Sequence, residues 1–161
     1  AAMITFQLNG ETHRQEADCN LLRYLRDTAR LTSVKNGCAK GACGACTVLV
    51  DGRGVRACLL TLEHVAGKSV LTVEGLSGRE KEVYAYAFGK AGAVQCGFCL
   101  PGMVMSAVQL LQDNPKPTEA EIREGLDGNI CRCTGYQNIV RAVRQVADGA
   151  KAPVQAQTAS A

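Results

Sequence analysis

Tryptophan is absent from this 161-residue chain, aromatic residues make up 4% of it, and there are two histidines. Any core must therefore be packed from aliphatic side chains and alanine. His13 and His64 do not sit beside a cysteine pair, which excludes a centre that needs two imidazole ligands; both are expected on the surface. No apolar run approaches the roughly 18 residues of a membrane span. Charge is not biased to one sign. Residues 1–76 carry 9 basic and 7 acidic side chains, and residues 77–161 carry 9 and 8. Without a basic stripe, nucleic acid is not an expected partner. A basic, then apolar, then small-residue start is also missing, so a cytoplasmic location is expected. No Ser/His/Asp set or carboxylate pair has a motif context, so no substrate-transforming site is expected.

Cysteine and glycine are what the chain has in quantity: 9 and 17 residues. In a reducing compartment so many cysteines point to metal rather than to disulfides. Cys38, Cys43, Cys46 and Cys58 read Cys-x4-Cys-x2-Cys-x11-Cys. That is the spacing of plant-type [2Fe–2S] ferredoxins. Zinc sites usually pair their ligands two and two, so three-plus-one spacing fits zinc poorly. Gly37, Gly41 and Gly44 punctuate the same segment. They let backbone N–H groups approach the sulfurs of an anionic cluster. They have the wrong spacing for a dinucleotide fingerprint and precede a strand, not a helix. Cys96, Cys99, Cys131 and Cys133 form a second set, Cys-x2-Cys-x31-Cys-x-Cys. Each pair falls at a junction between helices, so all four can converge. Spacing alone leaves this set open between an iron–sulfur cluster and zinc. Cys19 has no partner by spacing and is expected to be a buried structural thiol. With two oxidised clusters of about −2 each, the formal charge of +3 becomes about −1.

The rest of the chain divides by period. Met3–Leu8 alternates partly and ends in Asn9-Gly10, a hairpin signal. Asn20 is placed to cap a short helix with Leu21, Leu22 and Leu25 on one face. Thr47–Val50 is a β-branched run ended by Asp51-Gly52, and Val70–Val73 reads as another strand. This predicts a small mixed sheet with one helix, the β-grasp pattern. From Glu80 onward the period becomes helical. Pro101 opens one helix, Thr118 and Glu121 form a capping box for another, and Asn138 is placed to cap the last. The expected fold is thus α+β: an N-terminal β-grasp, ferredoxin-like domain (1–76), an all-α four-helix domain (77–149) that carries the second cysteine set, and a flexible tail (150–161).

Three stretches carry a resemblance: GCAKGACGACT, QCGFCLPGM and GNICRCTGYQNIV. Together they resemble the small iron–sulfur subunits of the molybdenum hydroxylases, the xanthine dehydrogenase and aldehyde oxidoreductase family. The resemblance runs from about Ile4 to Ala147, with all eight cysteines in order and spacing. It implies two [2Fe–2S] clusters and an electron-transfer role in a hetero-oligomer. It implies a large subunit holding molybdopterin and molybdenum, and a medium subunit holding FAD. It places the second cluster near the pterin, with Gln95 and Cys133 touching that cofactor, and the first toward FAD. The expected reaction of the whole complex is hydroxylation of a purine, an N-heterocycle or an aldehyde, with the xanthine dehydrogenase-like branch favoured. The alternatives are a free-standing two-cluster ferredoxin and a subunit of a CO- or aldehyde-oxidising branch. Ala42 and Leu100 depart from the family, which often has an acidic residue and Thr there. Arg132, between two ligands, is expected either to favour the reduced cluster or to pair across an interface. Lys35, Lys40 and Arg56 are expected on a solvated face.

Overall fold

The structure is a computed structural model that describes residues 2–149; the expected tail lies outside them. Strand β1 (Ile4–Leu8) turns into β2 (Glu11–Gln15), then comes a single α-turn, α1 (Leu21–Arg23). Strands β3 (Thr47–Val50), β4 (Arg53–Arg56) and β5 (Ser69–Leu71) follow. They form one five-stranded sheet in the order β2-β1-β5-β3-β4. The β1–β5 pair is parallel and the others antiparallel. Four helices follow among the described residues: α2 (Gly78–Lys90), α3 (Leu100–Asp113), α4 (Glu119–Leu126) and α5 (Gln137–Ala147).

Both hairpins turn where the sequence signals them. Asn9 and Gly10 have φ of 50° and 85°, and Asp51 and Gly52 have 48° and 81°. These left-handed pairs match the twist of the flanking strands. Asn9 also reaches across the sheet: its amide donates to Thr72 Oγ1 and its oxygen accepts from Thr72 N–H, both at 2.9 Å. That grip ends β5 at Leu71, so Val73 enters a 3₁₀ turn (Val73–Gly75) instead of extending the strand. The expected first helix is likewise shorter. Asn20 caps it as expected, accepting from Arg23 N–H at 3.2 Å. After one turn it widens into a π-turn (Tyr24–Thr28) that keeps Tyr24 and Leu25 buried.

Two apolar cores result. One lies between the sheet and α1 and includes Phe6, Leu25, Val48, Val50 and Val70. The other lies among the four helices and includes Phe88, Met103, Ile122 and Ile139. Strand β3 serves both. Successive side chains of a strand point to opposite faces, so Val48 and Val50 enter the first core while Leu49 enters the second. All four β3 residues are buried. A Leu buried to this degree contributes about 1.5–3 kcal/mol, here to the joint between the halves.

Two sequence expectations need correcting. His13 is half-buried, not a free surface residue: its ring lies 5.8 Å from that of Phe6 and hydrogen-bonds Tyr24 Oη at 2.9 Å. Asn138 does not cap α5. The N-cap position belongs to Tyr136, in left-handed backbone with φ 72°. Asn138 lies inside the helix, and its amide donates to Gly92 O at 3.3 Å.

Candidate iron–sulfur sites

The first cysteine group is built on the loop that leads into β3. Ala39, Gly41 and Gly44 there have positive φ, which curls successive N–H groups inward. The backbone N–H groups of Lys40, Ala42 and Cys43 donate to Cys38 Sγ at 3.4, 3.3 and 3.4 Å. Ala45 N–H donates to Cys43 Sγ at 3.5 Å. The N–H groups of Lys40 and Cys43 pull the Cys38 thiol down to about 6. Cys46 is 2% exposed, and burial pushes its thiol up to about 11. The fourth member, Cys58, follows β4. Its carbonyl accepts from the Asn20 amide at 2.9 Å, so the residue that caps α1 also holds a candidate ligand in place.

The second group straddles two junctions. Cys96 and Cys99 lie in the turn before α3, and Cys131 and Cys133 in the hairpin before α5. Cys99 and Cys131 face inward; burial raises the Cys99 thiol to about 12. Burial also acts to raise Cys131, but the Thr134 hydroxyl and N–H more than offset it, and the thiol ends below its ordinary value. Cys96 and Cys133 are exposed. Gln95, also exposed, donates from Nε2 to Cys133 O at 3.0 Å.

Within each group the thiols are near neighbours. Cys43 lies by Cys38 and by Cys46, and Cys46 by Cys58; Cys99 lies by Cys131 and Cys96, and Cys133 by Cys96 and Cys131. A [2Fe–2S] cluster needs two sulfur donors on each of two irons, and each group supplies four cysteines, so the donor set fits the cluster.

The two groups abut. Ile130 N–H donates to Cys43 O at 2.8 Å. A Cβ on Gly37 would lie 2.8 Å from Cys43 Sγ and 3.3 Å from the Phe98 ring. Thus the aromatic residue between Cys96 and Cys99 leans on the first loop. Gly102, in the first turn of α3, packs on the carbonyl of Gly44, and Gly44 on Gly128 and Asn129. The Asn129 side chain is buried among them. In the amide orientation that satisfies both ends of this side chain, its nitrogen donates to Gly102 O and Gly44 O, each at 3.2 Å, and its oxygen accepts from Ser106 Oγ at 2.7 Å. Arg56 is not on a solvated face: it donates to Thr47 Oγ1 and to Gly128 O, each at 2.6 Å, tying the halves together. The Lys35 ammonium donates to Thr32 O at 2.7 Å, and Lys40 is exposed. Arg132 is exposed and has no ion pair among the described residues. Cys19 is half-buried against the sheet core, not fully buried.

Spacing identified the eight cysteines but not the residues around them. Thr134, Phe98 and Asn129 carry no expectation from the sequence, and Arg56, expected on a solvated face, is instead bonded to Thr47 and Gly128. Only Thr134, a hydroxyl three residues after Cys131, offered a local signal.

Comparison with known proteins accounts for both groups. Residues 3–83 match the family described as "2Fe-2S iron-sulfur cluster binding domain". Residues 72–144 match "[2Fe-2S] binding domain". The nicotine 6-hydroxylase small subunit of Paenarthrobacter nicotinovorans is 46% identical over 87% of this chain and 86% of its own length. The xanthine dehydrogenase iron-sulfur-binding subunit of Escherichia coli O157:H7 is 51% identical over 70% of this chain and 73% of its own length. A chain of quinoline 2-oxidoreductase from Pseudomonas putida 86 superposes with a TM-score of 0.84 at 41% identity, covering 91% of this chain and 92% of that one. No helix among the described residues is long and apolar enough to cross a membrane. The chain belongs to the family of small iron–sulfur subunits of the molybdenum hydroxylases, and it is an electron-transfer subunit of a molybdenum-dependent oxidoreductase.

Proposed function

We propose that Cys38, Cys43, Cys46 and Cys58 hold one [2Fe–2S] cluster and Cys96, Cys99, Cys131 and Cys133 the other. The observation that carries this is that each set of four cysteines gathers at one place in the fold, with N–H or O–H donors on sulfur, inside a segment that matches a [2Fe–2S] domain family. When bound, each cluster supplies a one-electron carrier. The chain's own residues bind it, shield it and set its surroundings. In the first group the curled loop supplies N–H donors to sulfur, which favour extra negative charge there. Residues 1–76 and 77–149 then act as two domains, each with a cluster at the edge of its own core.

The exposed end of the second group faces the molybdopterin subunit. Val94 and Ile130 are 41% and 54% exposed and flank Gln95, Cys96 and Cys133. Apolar side chains exposed beside a polar site are what a subunit contact covers. There Gln95 and Cys133 contact the pterin, with the Gln95–Cys133 hydrogen bond fixing both. The first group has a separate exposed edge, with Leu59 59% exposed over Gly41. That edge faces the second acceptor, FAD on a medium subunit. Electrons from substrate hydroxylation leave the large subunit beside Cys96 and Cys133 and leave this chain beside Cys38.

The complex hydroxylates a purine, another N-heterocycle or an aldehyde. The support is that the proteins this chain resembles name nicotine, xanthine and quinoline on one side and an aldehyde on the other. The choice among them belongs to the large subunit. The cytoplasm, where free thiols stay reduced, suits assembly. The test is to purify the native complex and measure metals, flavin and turnover of nicotinate, purines and aldehydes. About four irons per copy of this chain, with a molybdenum-containing large subunit and a flavoprotein, is the expected result. Iron-loaded chain that never co-purifies with molybdenum would overturn the assignment.

A further inference from the structure

The second cysteine group contains a hydrogen bond with no counterpart in the first. Thr134 Oγ1 donates to Cys131 Sγ at 3.1 Å, and Thr134 N–H approaches the same sulfur at 3.4 Å. Among the described residues, the donors found on sulfur in the first group are all backbone N–H groups.

The surroundings orient that hydroxyl. Tyr136 N–H donates to Thr134 Oγ1 at 3.3 Å. One lone pair of the oxygen is thereby used, and the hydroxyl proton is left to point at sulfur. Tyr136 closes the ring through its other end, where its phenol oxygen accepts Cys131 N–H at 2.9 Å. To do both, Tyr136 takes φ 72°, directly after Gly135 at 66°. A bulky residue holds such backbone only where its surroundings over-determine it, and such residues cluster at functional sites. Here the ring packs on the helical core, while its two polar ends grip Cys131 and Thr134.

We propose that the Cys131–Tyr136 hairpin fixes an O–H···S donor on a ligand sulfur, so that Thr134 sets the reduction equilibrium of the helical cluster and Tyr136 positions Thr134. This rests on the ligand assignment above. Reduction adds one electron to the iron pair, taking one ferric ion to ferrous, with no bond broken and no proton moved. The added negative charge spreads onto the sulfurs. Hydrogen bonds strengthen as the acceptor becomes more negative, so the hydroxyl favours the reduced form.

The test uses the intact complex with Thr134→Val and Thr134→Ser. It is titrated with dithionite at controlled potential, and the reduced clusters are followed by electron paramagnetic resonance. Thr134→Val is expected to shift the helical cluster about tenfold toward the oxidised form, ~59 mV for one electron. Thr134→Ser, which keeps the hydroxyl, is expected to stay near the parent, and the first cluster is expected to be unchanged in both. Thr134→Ala carries the same expectation as valine without its shape. The proposal is overturned if valine and alanine match the parent, if serine shifts as much as valine, or if valine and alanine both lose the cluster, which would make Thr134 structural. Failure of the ligand assignment reads differently: Cys131→Ser would then leave the iron content unchanged.

Discussion

In the first cysteine group three of the four thiols come from the nine residues Cys38–Cys46; in the second they come two and two from junctions 31 residues apart. The first group is shaped by local backbone: positive φ at Ala39, Gly41 and Gly44, and a row of N–H donors on Cys38. The second exists only because α3 and α5 are packed into one core, which brings Cys99 to Cys131 and Cys96 to Cys133. There Thr134 donates to Cys131 Sγ through both its hydroxyl and its N–H. A short loop can carry its own cluster geometry, whereas a centre assembled from distant hairpins depends on the tertiary fold. The same contrast separates the chemical settings. Each group holds one buried thiol, Cys46 and Cys131, but only the second leaves two, Cys96 and Cys133, exposed.

The largest effects come from removing ligands one group at a time. Cys46→Ser and Cys131→Ser are each expected to lower iron from about four to about two per chain, measured by metal analysis. Each variant should retain the other group's electron paramagnetic resonance signal. Loss of both signals in Cys46→Ser would show that the groups are not independent. Gly102→Ala comes next, because its Cβ would strike the Gly44 carbonyl, a backbone atom that cannot step aside. Overpacking of this kind typically costs about 1–3 kcal/mol. Because it wedges the halves apart, it should lower the thermal midpoint and disturb both clusters.

Smaller changes sharpen the comparison. Gly37→Ala places a Cβ 2.8 Å from Cys43 Sγ and should reduce iron occupancy of the first group alone. Unchanged occupancy by metal analysis would mean the loop adapts. Arg56→Met leaves Gly128 O and Thr47 Oγ1 without their donor. That should cost about 1–3 kcal/mol in a denaturant melt, without loss of iron. The smallest effect concerns pH in cluster-free chain. The Cys38 thiol is lowered to about 6 and Cys46 raised to about 11. Between these values Cys38 is the thiolate and Cys46 the thiol. Iodoacetamide at pH 7 should therefore label Cys38 well before Cys46 by peptide mass mapping, and the preference should fade as pH falls below 6.

What was legible in the sequence follows the same divide. The hairpin pairs Asn9-Gly10 and Asp51-Gly52, the Thr118 capping box and the Cys38 loop are local features, and local chemistry decides them. Leu49 and Val48 lie in one β-branched run, and nothing in that run says that they enter different cores. Arg56 looks like a surface cation until Gly128, 72 residues away, is placed beside it. Asn138 is a better cap than Tyr136 by residue type, but contacts with Cys131 and Thr134 hold Tyr136 at the helix start. For the second cysteine group, spacing left zinc open; what favours iron–sulfur is the match of residues 72–144 to a [2Fe–2S] binding domain family.

The direction of electron flow is the central claim, and one measurement bears on it most directly. Complexes carrying Cys46→Ser or Cys131→Ser are mixed with reducing substrate in the absence of acceptor, frozen rapidly, and read by electron paramagnetic resonance. The Cys46→Ser complex should show its remaining cluster reduced within a turnover, while the cluster left in the Cys131→Ser complex should stay oxidised. The reverse pattern would contradict the account, because electrons would then enter this chain beside Cys38.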